Sequence, residues 1–249
     1  MAPPKTVWCK KLYLYAAAHL NLDVELRYRA VARVLGGLVR PGAEVLEVGA
    51  GAISISRYFP CKTVAVDPSF EPTANTSVGK IHGSATALPF PDQQWEVVCS
   101  IDMLEHIPPA ERYRAVLESL RVARSVVLIA VPVGEAAYRH DVETNEYHIR
   151  KNGVAPRFTA EHVLFGLPSG DQVREWLERA AVELGKKIVI EATPNLTIRF
   201  RLWYMKLSWH SSLLMRGLYV LIFPMSYLGR ILDRGQCYRQ VFAVRIVGH

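Results

Sequence analysis

Apolar and polar positions alternate in blocks along the chain, and these blocks predict alternating strands and helices. Seven short apolar runs are predicted as strands, at residues 43–49, 62–67, 79–83, 95–101, 125–133, 186–194 and 238–247. Several of these runs are apolar almost without interruption, which is typical of strands covered by helices on both faces. The pattern predicts an α/β protein with a doubly wound, mostly parallel, seven-stranded sheet.

The N-terminal region, residues 1–40, is predicted to be helical. Val24, Tyr28, Val31 and Leu35 recur there at steps of three and four residues. This spacing places apolar side chains on one face of a helix. We therefore expect N-terminal helices that pack on the sheet.

Two further helices, at residues 109–124 and 170–184, show ordinary helix signals, but two other segments do not fit the simple alternation. Residues 134–170 are polar and irregular in pattern, and we predict a loop that covers the substrate. Residues 196–234 are rich in apolar and aromatic side chains, and we predict a helical insert before the last strand. All of these elements are expected to form one domain over residues 1–249.

Composition and charge indicate the class of protein and its cellular compartment. The chain has 249 residues, of which 50% are hydrophobic and 21% are charged, as in ordinary globular proteins. Its four cysteines are scattered and form no C-x-x-C pair, so we expect a reducing, cytoplasmic compartment. The net charge of +7 is concentrated in residues 196–235, which contain six basic residues and one acidic residue. A peripheral position at a membrane surface is therefore the alternative expectation.

A glycine-rich turn follows the first predicted strand and indicates a ligand site. The run Glu47-Val48-Gly49-Ala50-Gly51 would let the backbone approach a ligand closely. A carboxylate at Asp67, the end of the second predicted strand, could accept hydrogen bonds from both hydroxyls of a ribose. NAD and S-adenosylmethionine both fit this arrangement. The dinucleotide fingerprint would place a glycine where this chain has Ser54, which disfavours a dinucleotide-dependent oxidoreductase.

The stretch "GSATALPFPDQQWEVVCSIDMLEHIP", residues 83–108, favours S-adenosylmethionine over NAD as the cofactor. It resembles the class I S-adenosylmethionine-dependent methyltransferases, in the branch whose pattern is "GDAxxLPFxDxxFDxVxxxxxLEHI". The resemblance covers residues 45–133. It implies a methyltransferase enzyme, a Rossmann-like sheet with an antiparallel last strand, and S-adenosyl-L-methionine as the cofactor.

The resemblance also implies which residues bind the cofactor. The expected contacts to its amino-acid part, ribose, adenine and methionine chain are, in chain order, Glu47, Gly49, Ala50, Gly51, Asp67, Pro68, Ser84, Ala85, Thr86, Ser100 and Ile101. The family often has a glycine where this chain has Ile53, and usually an aspartate where it has Ser84. Since a neutral hydroxyl is a weaker acceptor than a carboxylate, we expect lower cofactor affinity rather than loss of binding.

His106 is the candidate catalytic base, because it lies shortly after the fourth predicted strand, near the expected acceptor, and an imidazole can take a proton at neutral pH. A structural role for this histidine is the alternative. For the acceptor, the sequence predicts contacts from Glu146, Tyr147, His148 and Arg150. Metal-ligand types are frequent in residues 138–152, but their spacing matches no metal motif, and we predict no metal site.

The predicted function is methyl transfer to a small-molecule, glycan or lipid-linked acceptor, by O-methylation. The insert at residues 196–234 could act as a lid over that acceptor or lie at a membrane interface. Nucleic acid is an unlikely partner, since no recognised nucleic-acid motif accompanies the basic residues. The alternative function is a non-catalytic adenosyl-binding protein or a partner-docking module with the same fold.

Overall fold

The computed structural model describes residues 21–51, 53–70, 78–209 and 213–248. The strands in these residues are β1 (Glu44–Val48), β2 (Lys62–Asp67), β3 (Gly79–His82), β4 (Trp95–Ile101), β5 (Ala123–Pro132), β6 (Lys187–Thr197) and β7 (Cys237–Val247). The α-helices are α1 (Leu22–Gly36), α2 (Pro109–Val122), α3 (Gly134–Asn152), α4 (Arg157–Phe165), α5 (Gly170–Glu183), α6 (Ile198–Ser208), α7 (Leu213–Ile222) and α8 (Gly229–Leu232). Short 3-10 helices occur at Ile55–Arg57, Leu104–His106 and Phe223–Leu228. The N-terminal part of the predicted helical region, residues 1–20, lies outside the described residues.

The strands form one sheet in the order β3-β2-β1-β4-β5-β7-β6. Strands β1 to β5 pair in parallel, whereas β7 runs antiparallel to both of its neighbours, β5 and β6. The predicted Rossmann-like fold with an antiparallel last strand is therefore confirmed. The strand order reverses between β1 and β4, and a ligand crevice is expected beyond the carboxyl ends of the strands at such a point.

Helices cover both faces of the sheet, which explains the continuous apolar runs in the sequence. On one face, Val98 of β4 packs in the same cluster as apolar side chains of α2 and α5. On the other face, Val97 and Cys99 of the same strand pack with apolar side chains of α1. Neighbouring positions of β4 are thus buried on opposite faces, as the period of two in a strand requires.

The segment predicted as an irregular loop, residues 134–170, is instead mainly helical. It contains α3, α4 and the start of α5. Helix α3 buries Ala137, His140, Asp141 and Thr144, which recur at helical spacing. Because most of these side chains are polar, the buried face of α3 leaves no apolar periodicity in the sequence. The sequence expectation was therefore wrong about secondary structure here.

The insert before the last strand is helical in its described residues, and comprises α6, α7 and α8. Among the described residues, no helix is both long and apolar enough to cross a membrane.

A buried ion cluster connects α1, β4 and β7. Asp102, directly after β4, accepts hydrogen bonds from Arg239 Nε and Nη2 on β7 and from Arg27 Nη1 on α1, the last at 3.0 Å. The side chain of Arg239 is fully buried, and that of Asp102 is 8% exposed. Burial opposes ionisation of Asp102, but the charges of Arg239 and Arg27 outweigh it and hold the pKa of this carboxyl below its ordinary value.

We predict that Asp102→Asn strongly destabilises the fold. The substitution leaves two arginines without their shared counter-charge, and breaking a buried ion pair typically costs about 3–5 kcal/mol. Urea unfolding monitored by circular dichroism measures the change in free energy of unfolding. Asp92→Asn is the control, because Asp92 pairs with Arg121 at the surface and its side chain is 68% exposed. A loss no larger than that of the control would contradict the prediction.

Candidate active site

A cavity of about 880 Å³ lies beyond the carboxyl ends of β1, β2, β3 and β4. Its volume falls in the range of ligand sites that enclose a small molecule. We divide it into two halves by their walls. The glycine-loop half is formed by the segments that follow β1, β2 and β3, and the histidine half by α1, α4, α6 and the 3-10 helix after β4.

Most of the cofactor-binding residues expected from the sequence line the glycine-loop half. Eight of them line this half, namely Gly49, Ala50, Gly51, Asp67, Pro68, Ser84, Ala85 and Thr86, and a ninth, Ile101, lines the cavity at the end of β4. Gly49 has a φ of +76°, and a Cβ at this position would overlap the side chain of Met103. A side chain at Gly49 is therefore excluded both by the backbone conformation and by the lack of space.

Asp67 is held by the backbone in a position that leaves it able to accept further hydrogen bonds. Its Oδ2 accepts from Gly51 N at 3.1 Å, and its Oδ1 accepts from Ser69 N at 2.8 Å. A carboxylate has about four acceptor positions, so two remain for the hydroxyls of a ribose. Residues 84–86, which are expected to contact adenine, have a similar local hydrogen bond, in which Ser84 Oγ accepts from Thr86 N at 3.2 Å.

Two of the expected cofactor residues, Glu47 and Ser100, lie behind the cavity wall rather than in it. Glu47 accepts hydrogen bonds from Ile55 N at 2.9 Å and from Tyr28 Oη at 3.2 Å. Burial raises the pKa of Glu47 to about 7. Glu47 therefore connects the end of β1 to the segment after the glycine turn and to α1. Its contact with the cofactor ammonium stays a prediction.

The histidine half has two imidazoles in contact. His106 lines the cavity, and its Nδ1 lies 2.7 Å from Glu161 Oε2. His162 on α4 pairs through Nδ1 with Asp141 Oδ2 at 2.8 Å, and the Nε2 atoms of the two rings are 3.4 Å apart. Burial and the neighbouring His162 lower the pKa of His106, so its ring is neutral at neutral pH.

Glu105 and His162 were missed by the sequence reasoning, and both line the histidine half. Glu105 stands beside His106 within the quoted motif, so the motif itself contained the signal. His162 lies in no motif, and only the packing of α4 brings it to His106.

Arg201 joins the helical insert to this wall. It is buried, and its Nη1 lies 3.3 Å from Asp141 Oδ1 on α3. Its guanidinium also lies 3.7 Å from the ring centroid of Tyr238, whose hydroxyl donates to Asp141 Oδ2 at 2.7 Å. The sequence counted Arg201 among the basic charges of the insert, but in the structure it is an internal ion pair rather than a surface charge.

The four residues predicted to hold the acceptor do not line the cavity. Glu146 pairs with Arg150 at 3.4 Å on the exposed side of α3, and His148 Nδ1 lies 2.6 Å from Val154 O. The rings of Tyr147 and His148 face Trp209, which does line the cavity. The sequence pattern could not show which face of α3 turns inward.

The metal-ligand types of residues 138–152 are also divided between the two faces of α3. His140 and Asp141 are buried against Arg201. Glu143 pairs with Lys206 at 2.6 Å near the surface. These residues therefore do not converge on one point.

The helical insert before β7 forms one wall of the histidine half. The residues of α6 and α7, with their following turns, that line the cavity are Arg201, Tyr204, Met205, Ser208, Trp209, Tyr219 and Val220. The insert also exposes large apolar side chains to solvent, namely Trp203, Leu214, Leu218, Leu221, Tyr227, Leu228 and Ile231. The same segment thus forms a cavity wall on its inner side and an apolar surface on its outer side.

Comparison with known proteins found similarities to methyltransferases. A family model described as a methyltransferase domain matches residues 46–131. No curated protein matches the chain by sequence. A solved structure of an S-adenosylmethionine-dependent methyltransferase from Thermotoga maritima is 14% identical, with a TM-score of 0.55 over 97% of this chain and 96% of that one.

A second similar structure is phosphoethanolamine N-methyltransferase 2 from Haemonchus contortus in complex with S-adenosylhomocysteine. It is 15% identical, with a TM-score of 0.52, and the match covers 89% of this chain and 52% of that one. At such identities the likeness shows the fold, and the family model matches the part of the chain that contains most of β1, all of β2 to β4 and most of β5. The predicted enzyme class, a methyltransferase, and the predicted cofactor, S-adenosylmethionine, are confirmed; the acceptor is not determined by these matches.

We predict that Asp67→Ala weakens binding of S-adenosylmethionine and S-adenosylhomocysteine at least tenfold, or by about 1.4 kcal/mol. The variant loses the acceptor for the ribose hydroxyls and the anchor for Gly51 N. Isothermal titration calorimetry measures both affinities. Asp171→Ala, an exposed carboxylate at the start of α5, is the matched control. Equal affinities in the two variants would remove Asp67 from the cofactor site.

Proposed function

We propose that the protein methylates a hydroxyl oxygen of an acceptor bound in the histidine half of the cavity, as a member of the methyltransferase branch with the "LEHI" motif. The observation that carries this proposal is the continuity of the two halves. The glycine-loop half, at the carboxyl ends of β1 to β3, contains most of the expected cofactor residues, and the histidine half adjoins it at the end of β4, with His106 in its wall. A donor and an acceptor can thus meet in one continuous cavity.

The reaction we infer is a direct displacement. The acceptor oxygen bonds to the methyl carbon, the bond between carbon and sulfur breaks, and its electron pair stays on sulfur. The protein accelerates this step by holding donor and acceptor in line and by excluding water. A hydroxyl must also lose its proton, and His106 is the group we assign to accept it. Its Nδ1 is occupied by Glu161, so the proton would go to Nε2.

The side chains that line the histidine half favour an acceptor that has a polar head and either a ring or an apolar part. Glu105 and His162 supply the polar side, while Tyr204, Trp209 and Tyr219 of the insert supply aromatic surface. A small molecule, a glycan or a lipid-linked glycan would fit this division. Among these we favour a lipid-linked acceptor, because the outer side of the insert exposes Leu214, Leu221 and other apolar side chains. Such a surface suits peripheral contact with a membrane.

The function is tested by label transfer. The purified protein is incubated with methyl-labelled S-adenosylmethionine and a cell extract, and the products are partitioned between organic solvent and water. We expect label in the organic phase, as a lipid-linked acceptor requires. Label in the water phase would instead support a glycan or a small metabolite. No labelled product despite intact cofactor binding would favour a non-catalytic adenosyl-binding protein.

We also predict that His106→Gln lowers kcat at least a hundredfold while the dissociation constant for the cofactor is unchanged, because proton removal contributes about 10²–10⁴ in rate. His148→Gln is the matched control, since His148 is a histidine outside the cavity. Steady-state kinetics on the labelled acceptor, with calorimetry for the cofactor, separate the two effects. If both variants lose activity equally, the acceptor contacts lie on α3, as the sequence predicted.

A further inference from the structure

Three side chains of the histidine half bring metal-ligand atoms unusually close together. Glu105 and His106 come from the 3-10 helix after β4, and His162 comes from α4. One ligand atom from each lies within 4.8 Å of the other two. Glu105 and His162 are buried, and His106 is partly buried.

The hydrogen bonds of the two histidines determine where their lone pairs point. His106 Nδ1 faces the carboxylate of Glu161, and His162 Nδ1 faces the carboxylate of Asp141. A carboxylate accepts hydrogen bonds, so each Nδ1 carries a hydrogen, and in a neutral ring Nε2 is then an acceptor. The two Nε2 atoms are nevertheless only 3.4 Å apart. Two facing lone pairs at this distance repel unless a positive charge lies between or beside them.

Glu105 provides an independent observation. Its side chain is fully buried, and neither of its carboxyl oxygens has a hydrogen-bond partner among the described residues. Its Oε1 lies 3.9 Å from His162 Nε2 and faces the same point as the two imidazoles. A buried polar group without a partner is costly, and a bound cation would satisfy it.

We propose that Glu105, His106 and His162 bind one divalent transition-metal ion such as Zn²⁺, with its remaining coordination position open to the cavity. Two imidazoles and one carboxylate are a usual ligand set for catalytic zinc. With Zn–N bonds of about 2.1 Å and tetrahedral angles, two ligand nitrogens lie roughly 3.4 Å apart, which equals the separation found here. Glu105 Oε1 lies 3.9 Å from His162 Nε2, so the carboxylate must move inward by about 0.5 Å to complete a tetrahedral set.

The surroundings of the three ligands also suit a metal site. Metal-bound histidines usually donate their second nitrogen to a carboxylate, and both rings have one in Glu161 and Asp141. These carboxylates are themselves held in place, Glu161 by Arg157 at 3.2 Å and Asp141 by the hydroxyl of Tyr238. The outer residues of a metal site are therefore already arranged around the ligands.

The competing explanation is a single proton shared by His106 and His162, which would make one ring a cation. It accounts for the short distance between the Nε2 atoms. It gives no partner to the oxygens of Glu105, whereas the metal ion does. We therefore favour the metal ion.

This inference rests on the proposed methylation of a hydroxyl, and it replaces His106 by the metal ion as the group that activates this hydroxyl. An ion held by these three residues would lower the pKa of an acceptor hydroxyl in its open position, and the proton would be released to solvent before the methyl donor and the acceptor are sealed from water. The oxygen then takes the methyl group, and the sulfur keeps the electron pair of the broken bond. In this form of the enzyme, His106 is a metal ligand and not the proton acceptor.

The test is direct measurement of metal binding by the full-length, untagged protein. The protein is treated with EDTA, dialysed, and titrated with Zn²⁺ by calorimetry and with Co²⁺ by visible absorption. We expect one equivalent of metal and a Co²⁺ spectrum with nitrogen and oxygen ligands. Glu105→Gln and His162→Gln should each weaken binding at least tenfold, whereas His148→Gln should not. Glu105→Gln keeps the size of the side chain, so its result stands even if His162→Gln fails to fold.

Absence of binding, or equal binding in Glu105→Gln and the unaltered protein, would overturn the metal site. Label transfer that continues after EDTA treatment, with no bound metal, would overturn the role of the ion in activating the hydroxyl, and His106 would remain the direct base of the proposed function. Metal binding without label transfer would support the site but not the methylation of a hydroxyl. Loss of label transfer on chelation, with recovery on adding Zn²⁺, supports both.

Discussion

The ion cluster around Asp102 is the constraint on which the site depends. This carboxylate follows β4, and it is paired with Arg27 of α1 and Arg239 of β7. Each of the three elements also contributes to the cavity or its support. Helix α1 places Tyr28 beneath the glycine loop, β4 leads into Glu105 and His106, and β7 places Tyr238 beside the histidines. A buried pair of this kind is costly to break, so the relative positions of these elements are closely determined.

The two halves of the cavity are built by different physical means. The glycine-loop half depends on backbone conformation, namely the positive φ of Gly49 and the amide hydrogen bonds that orient Asp67. The histidine half depends on side chains from elements far apart in the chain, held by ion pairs such as that between Arg201 and Asp141. A backbone-based site tolerates change elsewhere in the chain, whereas a side-chain-based site can be altered by repacking one helix. This division suits one constant cofactor and an acceptor that differs between enzymes of the same fold.

The errors of the sequence interpretation have specific causes. Helix α3 was taken as a loop because its inner face, with His140, Asp141 and Thr144, is polar. The acceptor contacts were placed on residues such as Glu146 because charge and hydrogen-bonding capacity can be read from a sequence, but the direction of a helix face cannot. Arg201 was counted as a surface charge for the same reason, although it is buried. In each case the sequence could not distinguish a polar side chain that is hydrogen-bonded inside the protein from one that is hydrogen-bonded to water.

The sequence by itself determined the alternation of strands and helices, the glycine turn after β1 and the carboxylate at the end of β2. Each of these is a local property, because it depends on the backbone within a few residues and on which side chains avoid water. Together with the resemblance, they were sufficient for the fold and for most residues of the cofactor wall. The tertiary structure alone decided that His162 contacts His106, 56 positions away in the sequence, and that the carboxyl group of Glu105 lies beside them without a hydrogen-bond partner among the described residues. The contact between the two histidines depends on how α4 and α6 pack against the end of the sheet. This packing is determined by many contacts between residues that are far apart in the sequence, so no local pattern shows it.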